Sequence, residues 1–215
     1  MKKTLLFATL LLAACTAPSP PPAALADTQK ISTVNCDDPD APIACCFENQ
    51  PAAISSVMRI AGKDEAGEQL SISGTVLKSD GKTPFANVLL YAYHTDSKGI
   101  YSKAGNEKGI QKWHGRLHGW CRSDANGRYE IRSIRPAPYP SGQGGPAHIH
   151  MAVREPDGAT YYINDFVFAD DPNVNETYFR LIGPGDKGVV QLKKDAQGVW
   201  KGTRDIPLVE ALRNR

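Results

Sequence analysis

His148 and His150 are separated by a single residue, Ile149. In an extended strand, residues i and i+2 point to the same face, roughly 6.5 Å apart at about 3.3 Å rise per residue. Two imidazoles so placed can hold one metal ion between them. The ordinary alternative is a pair of half-buried histidines, and the pair alone does not decide. Two tyrosines sharpen the reading. Tyr101 follows Asp96-Ser97-Lys98-Gly99-Ile100, and Tyr139 stands between Pro138 and Pro140. Each proline fixes its own φ and restricts the residue before it, so Tyr139 is held rigidly. Such rigidity at a loop serves a preorganised ligand better than a packed core.

Phenolate oxygen is a hard anionic donor suited to ferric iron, whereas imidazole tolerates iron, zinc or copper. A nearby cation favours the charged form of an acid, so Fe(III) can ionise a tyrosine near neutral pH despite its reference pKa of about 10. Tyr101, Tyr139, His148 and His150 together give an iron two negative protein ligands. That charge favours Fe(III) over Fe(II).

The elements that must position these residues read as strands. Leu70 to Val76 alternates with period two, and Ser79 to Lys82 then supplies turn chemistry. Further strands are predicted over Val88 to Tyr93, Arg128 to Ile134, His148 to Val153 and Tyr161 to Phe168. Val189 to Leu192 and Gly198 to Gly202 are expected to form a hairpin around Lys194 to Gln197. Short helices are expected at Asn175 to Leu181 and Leu208 to Arg213. Regular short strands with Gly, Pro and Asp turns predict an all-β fold: a two-sheet antiparallel β-sandwich with long loops and little helix. The stretch from Lys103 to Trp120 shows no clear strand and is expected to be a loop over a pocket mouth, with His114 and His118 solvated in it. Gly115 and Gly119 argue against one helix carrying both. His94 carries no special signal, and Tyr161 and Tyr162 are expected to pack.

Residues 1–14 read as a signal peptide, with Lys2 and Lys3, an apolar run from Leu5 to Leu12, and Leu12-Ala13-Ala14-Cys15. The apolar run is about half of what spans a bilayer. Leu-Ala-Ala-Cys is similar to a bacterial lipobox, which makes Cys15 the expected lipidation site. Thr16 after it points to the outer membrane of a Gram-negative cell, facing the periplasm or the exterior. Residues 15–35 then form a Pro/Ala-rich tether, and 36–215 the folded domain, which meets the membrane only through the lipid. A net charge of +2 with scattered Lys and Arg gives no nucleic-acid signal. Oligomeric state stays open.

Cys36, Cys45, Cys46 and Cys121 remain as disulfide candidates in an oxidising compartment. A bond between the neighbours Cys45 and Cys46 is sterically poor. The expectation is Cys36 with one of them and Cys121 with the other. A structural zinc site competes, but the expected CxxC pairs are absent.

At these positions the chain resembles the intradiol ring-cleavage dioxygenases, the family of protocatechuate and catechol dioxygenases. The resemblance spans roughly Leu70 to Pro172. It is strongest at Asp96 to Tyr101, Ser123 to Tyr129, Ile134 to Pro140 and Pro146 to His150, in matching order and spacing. It implies a non-haem Fe(III) cofactor held by Tyr101, Tyr139, His148 and His150, with a small aromatic diol and O2 as reaction partners. The ring opens between the two hydroxyl-bearing carbons, and Tyr139, displaced by the diol, accepts a substrate proton.

Two positions depart from the pattern. Gly145 stands where protocatechuate-cleaving relatives carry an arginine, and Asp165 where they carry a glutamine. Both belong to the expected substrate pocket. Arg116, Arg122 or Arg135 are candidates to replace the missing cation; a turn or cap role is the plain alternative for Asp165. These departures keep a second reading alive: a catalytically weak metal- or catechol-binding module of the cell envelope.

Overall fold

The computed structural model describes residues 34–140, 145–183 and 185–208. The expected signal peptide, Cys15 and nearly all of the tether lie outside these residues, as does most of the helix expected over Leu208 to Arg213.

Eleven strands occur among the described residues: β1 (Val57–Arg59), β2 (Gln69–Leu77), β3 (Leu89–Tyr93), β4 (His118–Arg122), β5 (Arg128–Ile134), β6 (His148–Arg154), β7 (Thr160–Phe168), β8 (Val189–Val190), β9 (Leu192–Lys194), β10 (Trp200–Thr203) and β11 (Ile206–Pro207). They form two sheets. The first runs β1-β5-β2-β10-β9, with β11 also on β2; the second runs β4-β3-β6-β7-β8. Helix is confined to a 3-10 turn (Ile43–Phe47), α1 (Gln111–His114) and α2 (Glu176–Ile182). None is long and apolar enough to cross a membrane.

The two-sheet, all-β expectation holds, with one amendment. The long central pairings β2–β5, β3–β4, β3–β6 and β6–β7 are antiparallel. Four pairings nearer the edges are parallel: β1–β5, β2–β10, β2–β11 and β7–β8. Parallel neighbours need crossover connections, and between the partners of β1–β5, β2–β10 and β2–β11 the chain passes through strands of the second sheet.

Alternating side chains explain the core. Ile72 and Val76 from β2, Ile131 from β5, Leu90 from β3, Met151 from β6 and Phe166 from β7 interdigitate between the sheets, all fully buried. The opposite face of the second sheet is covered as well. Cys45, Cys46 and Phe47 of the 3-10 turn pack on Leu89, Tyr91 and Ala152, and Trp120 donates its indole N–H to the Cys46 carbonyl at 2.8 Å.

This two-sided burial decides the cysteines. Cys36 and Cys45 form a disulfide, as expected. The expected Cys46–Cys121 bond is absent, and both thiols are free and buried. Cys121 points into the core between the sheets, whereas Cys46 packs on the outer face of the second sheet. The sheet itself separates them. Burial raises both thiol pKa values, that of Cys46 to about 11.

Candidate active site

β6 alternates half-buried and buried residues, so His148 and His150 share the outer face while Ile149 enters the core. The tyrosines arrive on two loops laced together. Asp96 accepts from the backbone N–H of Lys98 (2.8 Å) and Ile100 (3.1 Å), which shapes the turn leading to Tyr101. Gly99 sits at φ 79° in that turn, and a Cβ there would meet the Pro138 carbonyl oxygen at 2.1 Å. Only glycine lets the two loops approach so closely. Thr95 donates to the Ala137 carbonyl at 2.7 Å and completes the link.

The result is a convergence of donor atoms. Tyr101 Oη lies 2.6 Å from Tyr139 Oη and 2.9 Å from His150 Nε2. Tyr139 Oη lies 3.2 Å from His148 Nε2 and 3.3 Å from His150 Nε2. The two Nε2 atoms are 3.0 Å apart. Ligand distances of about 2 Å put neighbouring donors of one ion roughly 3 Å apart. All four residues expected to meet do so.

The outer nitrogens fix the tautomers. His148 Nδ1 is 2.8 Å from the Pro146 carbonyl, and His150 Nδ1 is 3.1 Å from Asp165 Oδ1. A carbonyl and a carboxylate only accept, so each Nδ1 carries the proton. The two Nε2 lone pairs then face each other at 3.0 Å. A cation between them turns that repulsion into attraction, so the donor set fits a metal ion. Burial shifts the groups in the same sense. It raises the pKa of Tyr101 and Tyr139 and lowers that of His148, leaving phenols and imidazole neutral without a cation.

His148, His150 and Asp165 form a group able to hold a metal. Asp165, however, bonds the outer nitrogen of His150, on the far side of the ring from the other three donors. Its place is behind the His150 ring, and the alternative turn or cap role gives way to this contact. Gly145 faces open space, with no heavy atom within 4 Å of where a Cβ would stand.

The arginines that could replace the missing cation are engaged elsewhere. Arg116 makes two hydrogen bonds to the Glu65 carboxylate and Arg135 two to Asp170. Arg122 pairs with Leu89, four residues or about 13 Å along β3 from Tyr93 at the site's end.

His114 is buried rather than solvated, and His118 is half-buried. α1 ends at His114, capped by Gly115 at φ 80°, and His118 opens β4. The His114 ring is buried, stacks on Tyr93 and lies with Nδ1 2.9 Å from Tyr91 Oη; burial lowers its pKa to about 3. Tyr93 in turn stacks on His150. Sequence reasoning misses Tyr93, although its period-two relation to Tyr91 puts both on one face. His94, also buried, bonds the Thr95 carbonyl and Ser133 Oγ, both at 2.7 Å. Tyr161 packs in the core as expected, while Tyr162 stays part-exposed with its Oη 3.7 Å from Cys46 Sγ.

Comparison with known proteins gives the family. A family model described as Dioxygenase matches residues 45–194. Catechol 1,2-dioxygenase 2 of Acinetobacter lwoffii is 32% identical over 131 residues, covering 49% of this chain and 46% of that protein. The protocatechuate 3,4-dioxygenase beta chain of Burkholderia cepacia is 29% identical over 111 residues, covering 49% and 47%. The chain thus spans about half the length of the curated relatives it matches. In fold it is similar to catechol 1,2-dioxygenase from Acinetobacter sp. ADP1, with a TM-score of 0.56 at 23% identity over 77% of this chain and 62% of that one. The dioxygenase domain of a carbohydrate-binding fusion from Streptomyces sp. SirexAA-E gives 0.56 at 24% identity over 70% and 86%. The chain belongs to the intradiol dioxygenase family.

Proposed function

We propose that this protein is a non-haem Fe(III) dioxygenase that opens a catechol-type ring between its two hydroxyl-bearing carbons, using O2. The observation that carries the reading is the convergence of two phenol oxygens and two imidazole nitrogens at separations of 2.6 to 3.3 Å. Tyr101, Tyr139, His148 and His150 would hold the iron, which when bound would supply a Lewis acid and a template for the diol. Tyr101 is held by burial and by its contacts to Tyr139 and His150. Tyr139 is about half-buried between two exposed prolines, so its Oη is the group that would take a proton from a substrate hydroxyl. His148 and His150 stay fixed through their Nδ1 partners. With glycine at position 145 and Arg116 and Arg135 paired with carboxylates, an uncharged catechol suits this site better than a carboxylated one.

The test is direct. Iron-loaded protein is expected to be red-brown from tyrosinate-to-iron charge transfer, to consume one O2 per catechol and to release a muconate-type diacid. A colourless protein that takes up no iron overturns the reading. Gly145 and Asp165 favour a second one, a binding module of low turnover. Iron content and catechol affinity without oxygen uptake select it.

Export belongs to the same proposal. Residues 1–14 direct secretion, Cys15 carries the lipid, 15–35 form the tether and 36–215 the domain, at the outer membrane. Cys15→Ser is expected to move the protein from the membrane fraction to the soluble one, and unchanged membrane fractionation argues against the anchor.

A further inference from the structure

A break in the sheet lies next to the site. Ile149 pairs with Phe166 and Met151 with Ile163, so Asn164 and Asp165 together face His150 alone. This is a β-bulge on β7. It adds a residue, interrupts the ladder and re-aims a side chain. Here it turns Asp165 towards the outer face, where Oδ1 reaches His150 Nδ1 at 3.1 Å.

Two features hold the bulge open. Arg204, buried and stacked 4.1 Å over the Phe166 ring, donates to the carbonyls of Asn164 (3.0 Å) and Asp165 (3.3 Å) that the ladder cannot satisfy. Its other terminal nitrogen, Nη2, pairs with the Asp186 carboxylate. Gly188, at φ 72°, passes so close that a Cβ would lie 1.8 Å from the Asp165 carbonyl oxygen. The Asp165 backbone is therefore held by a buried cation and a close-packed glycine, independently of the imidazole its carboxylate meets.

We infer that Asp165, aimed by the bulge and clasped by Arg204, is a positioning residue that locks the His150 ring and strengthens His150 Nε2 as a donor. A carboxylate behind a ligating imidazole fixes its tautomer and raises its basicity. For the metal, the inference rests on the proposed function. For the imidazole, it does not.

The full chain and its Asp165→Ala and Asp165→Asn variants are loaded with iron. Fe(III) affinity is read by chelator competition, and the visible band by absorption. Asp165→Ala is expected to weaken affinity about 10- to 100-fold and to shift the band. Asp165→Asn, which keeps an acceptor oxygen without its charge, falls between, with the wild-type circular dichroism spectrum. In the metal-free protein, nitrogen-15 NMR is expected to show the His150 proton on Nδ1 and to lose that preference in Asp165→Ala. Wild-type affinity and an unshifted band in both variants overturn the inference and leave the proposed function standing. A wild type that binds no iron, yet whose His150 tautomer depends on Asp165, overturns the proposed function and supports the positioning role.

Discussion

Tyr93 lies between two imidazoles, its ring centroid 3.6 Å from that of His114 and 4.5 Å from that of His150. The ring thus transmits the packing of α1 to the candidate metal site. Tyr93→Ala is expected to destabilise the domain by about 3 kcal/mol through loss of a large packed ring and to weaken iron binding. Tyr93→Phe keeps the stack and is expected to keep iron. Denaturant unfolding and iron quantitation on both variants check this.

The two tyrosines are expected to fail differently. Tyr101→Phe removes the more shielded phenol and should cost most of the bound iron and its colour. Tyr139→Phe should retain iron on the three remaining side chains, yet lose at least about 100-fold in kcat, the lower end for a positioned proton acceptor. Steady-state oxygen uptake at matched iron content separates the two. Equal iron loss in both contradicts the assignment of Tyr139.

Stability should fall on mild acidification because of His94. Burial lowers its pKa from 6.5 to about 4. The unfolded chain therefore binds the proton more readily, and stability is lost as pH drops from about 6.5 towards 4. A shift of this size corresponds to roughly 3 kcal/mol at the acid end. Urea unfolding of wild type and His94→Gln at pH 7.5 and 4.5 is expected to show the smaller decline in the variant.

Gly145→Arg tests substrate choice. Its Cβ position is open, so the side chain fits without displacing the fold. An added cation three residues before His148 is expected to lower KM for a carboxylated catechol by roughly fivefold, from a part-exposed ion pair of about 1 kcal/mol, and to leave KM for catechol little changed.

Thiol chemistry gives a separate check on the packing. In a Cys15→Ser chain, Cys46 and Cys121 are expected to resist alkylation in the native state and to react only after denaturation. Opening the Cys36–Cys45 bond by Cys36→Ser is expected to cost about 2 kcal/mol, the low end for a short loop.

Much of this is legible in the amino-acid sequence. β5 begins and ends where the alternation does, at Arg128 and Ile134, and the His-x-His spacing puts both imidazoles on one face. What escapes has physical reasons. β4 reads as loop because it contains Gly119, yet a Cβ there would meet Met58 Cγ at 2.9 Å, so close packing against β1 demands the glycine. β1 itself is three residues long and pairs in parallel with β5, which leaves no local pattern. The Asp165–His150 contact is invisible in sequence because period-two alternation cannot announce an extra residue opposite His150. The number and spacing of Cys46 and Cys121 do not reveal that a sheet lies between them.

Arg204 has one more consequence, for timing. The clasp on the β7 bulge comes from a side chain some forty positions further along the chain, and its own carbonyl is anchored by Tyr129 Oη at 2.7 Å. The four converging residues are thus all synthesised well before the piece that helps to set His150, the last of them. Chains cut short of residue 204 should hold all four expected ligands and yet lack the clasp on the bulge, so the proposed metal site would be completed only late in the life of the polypeptide.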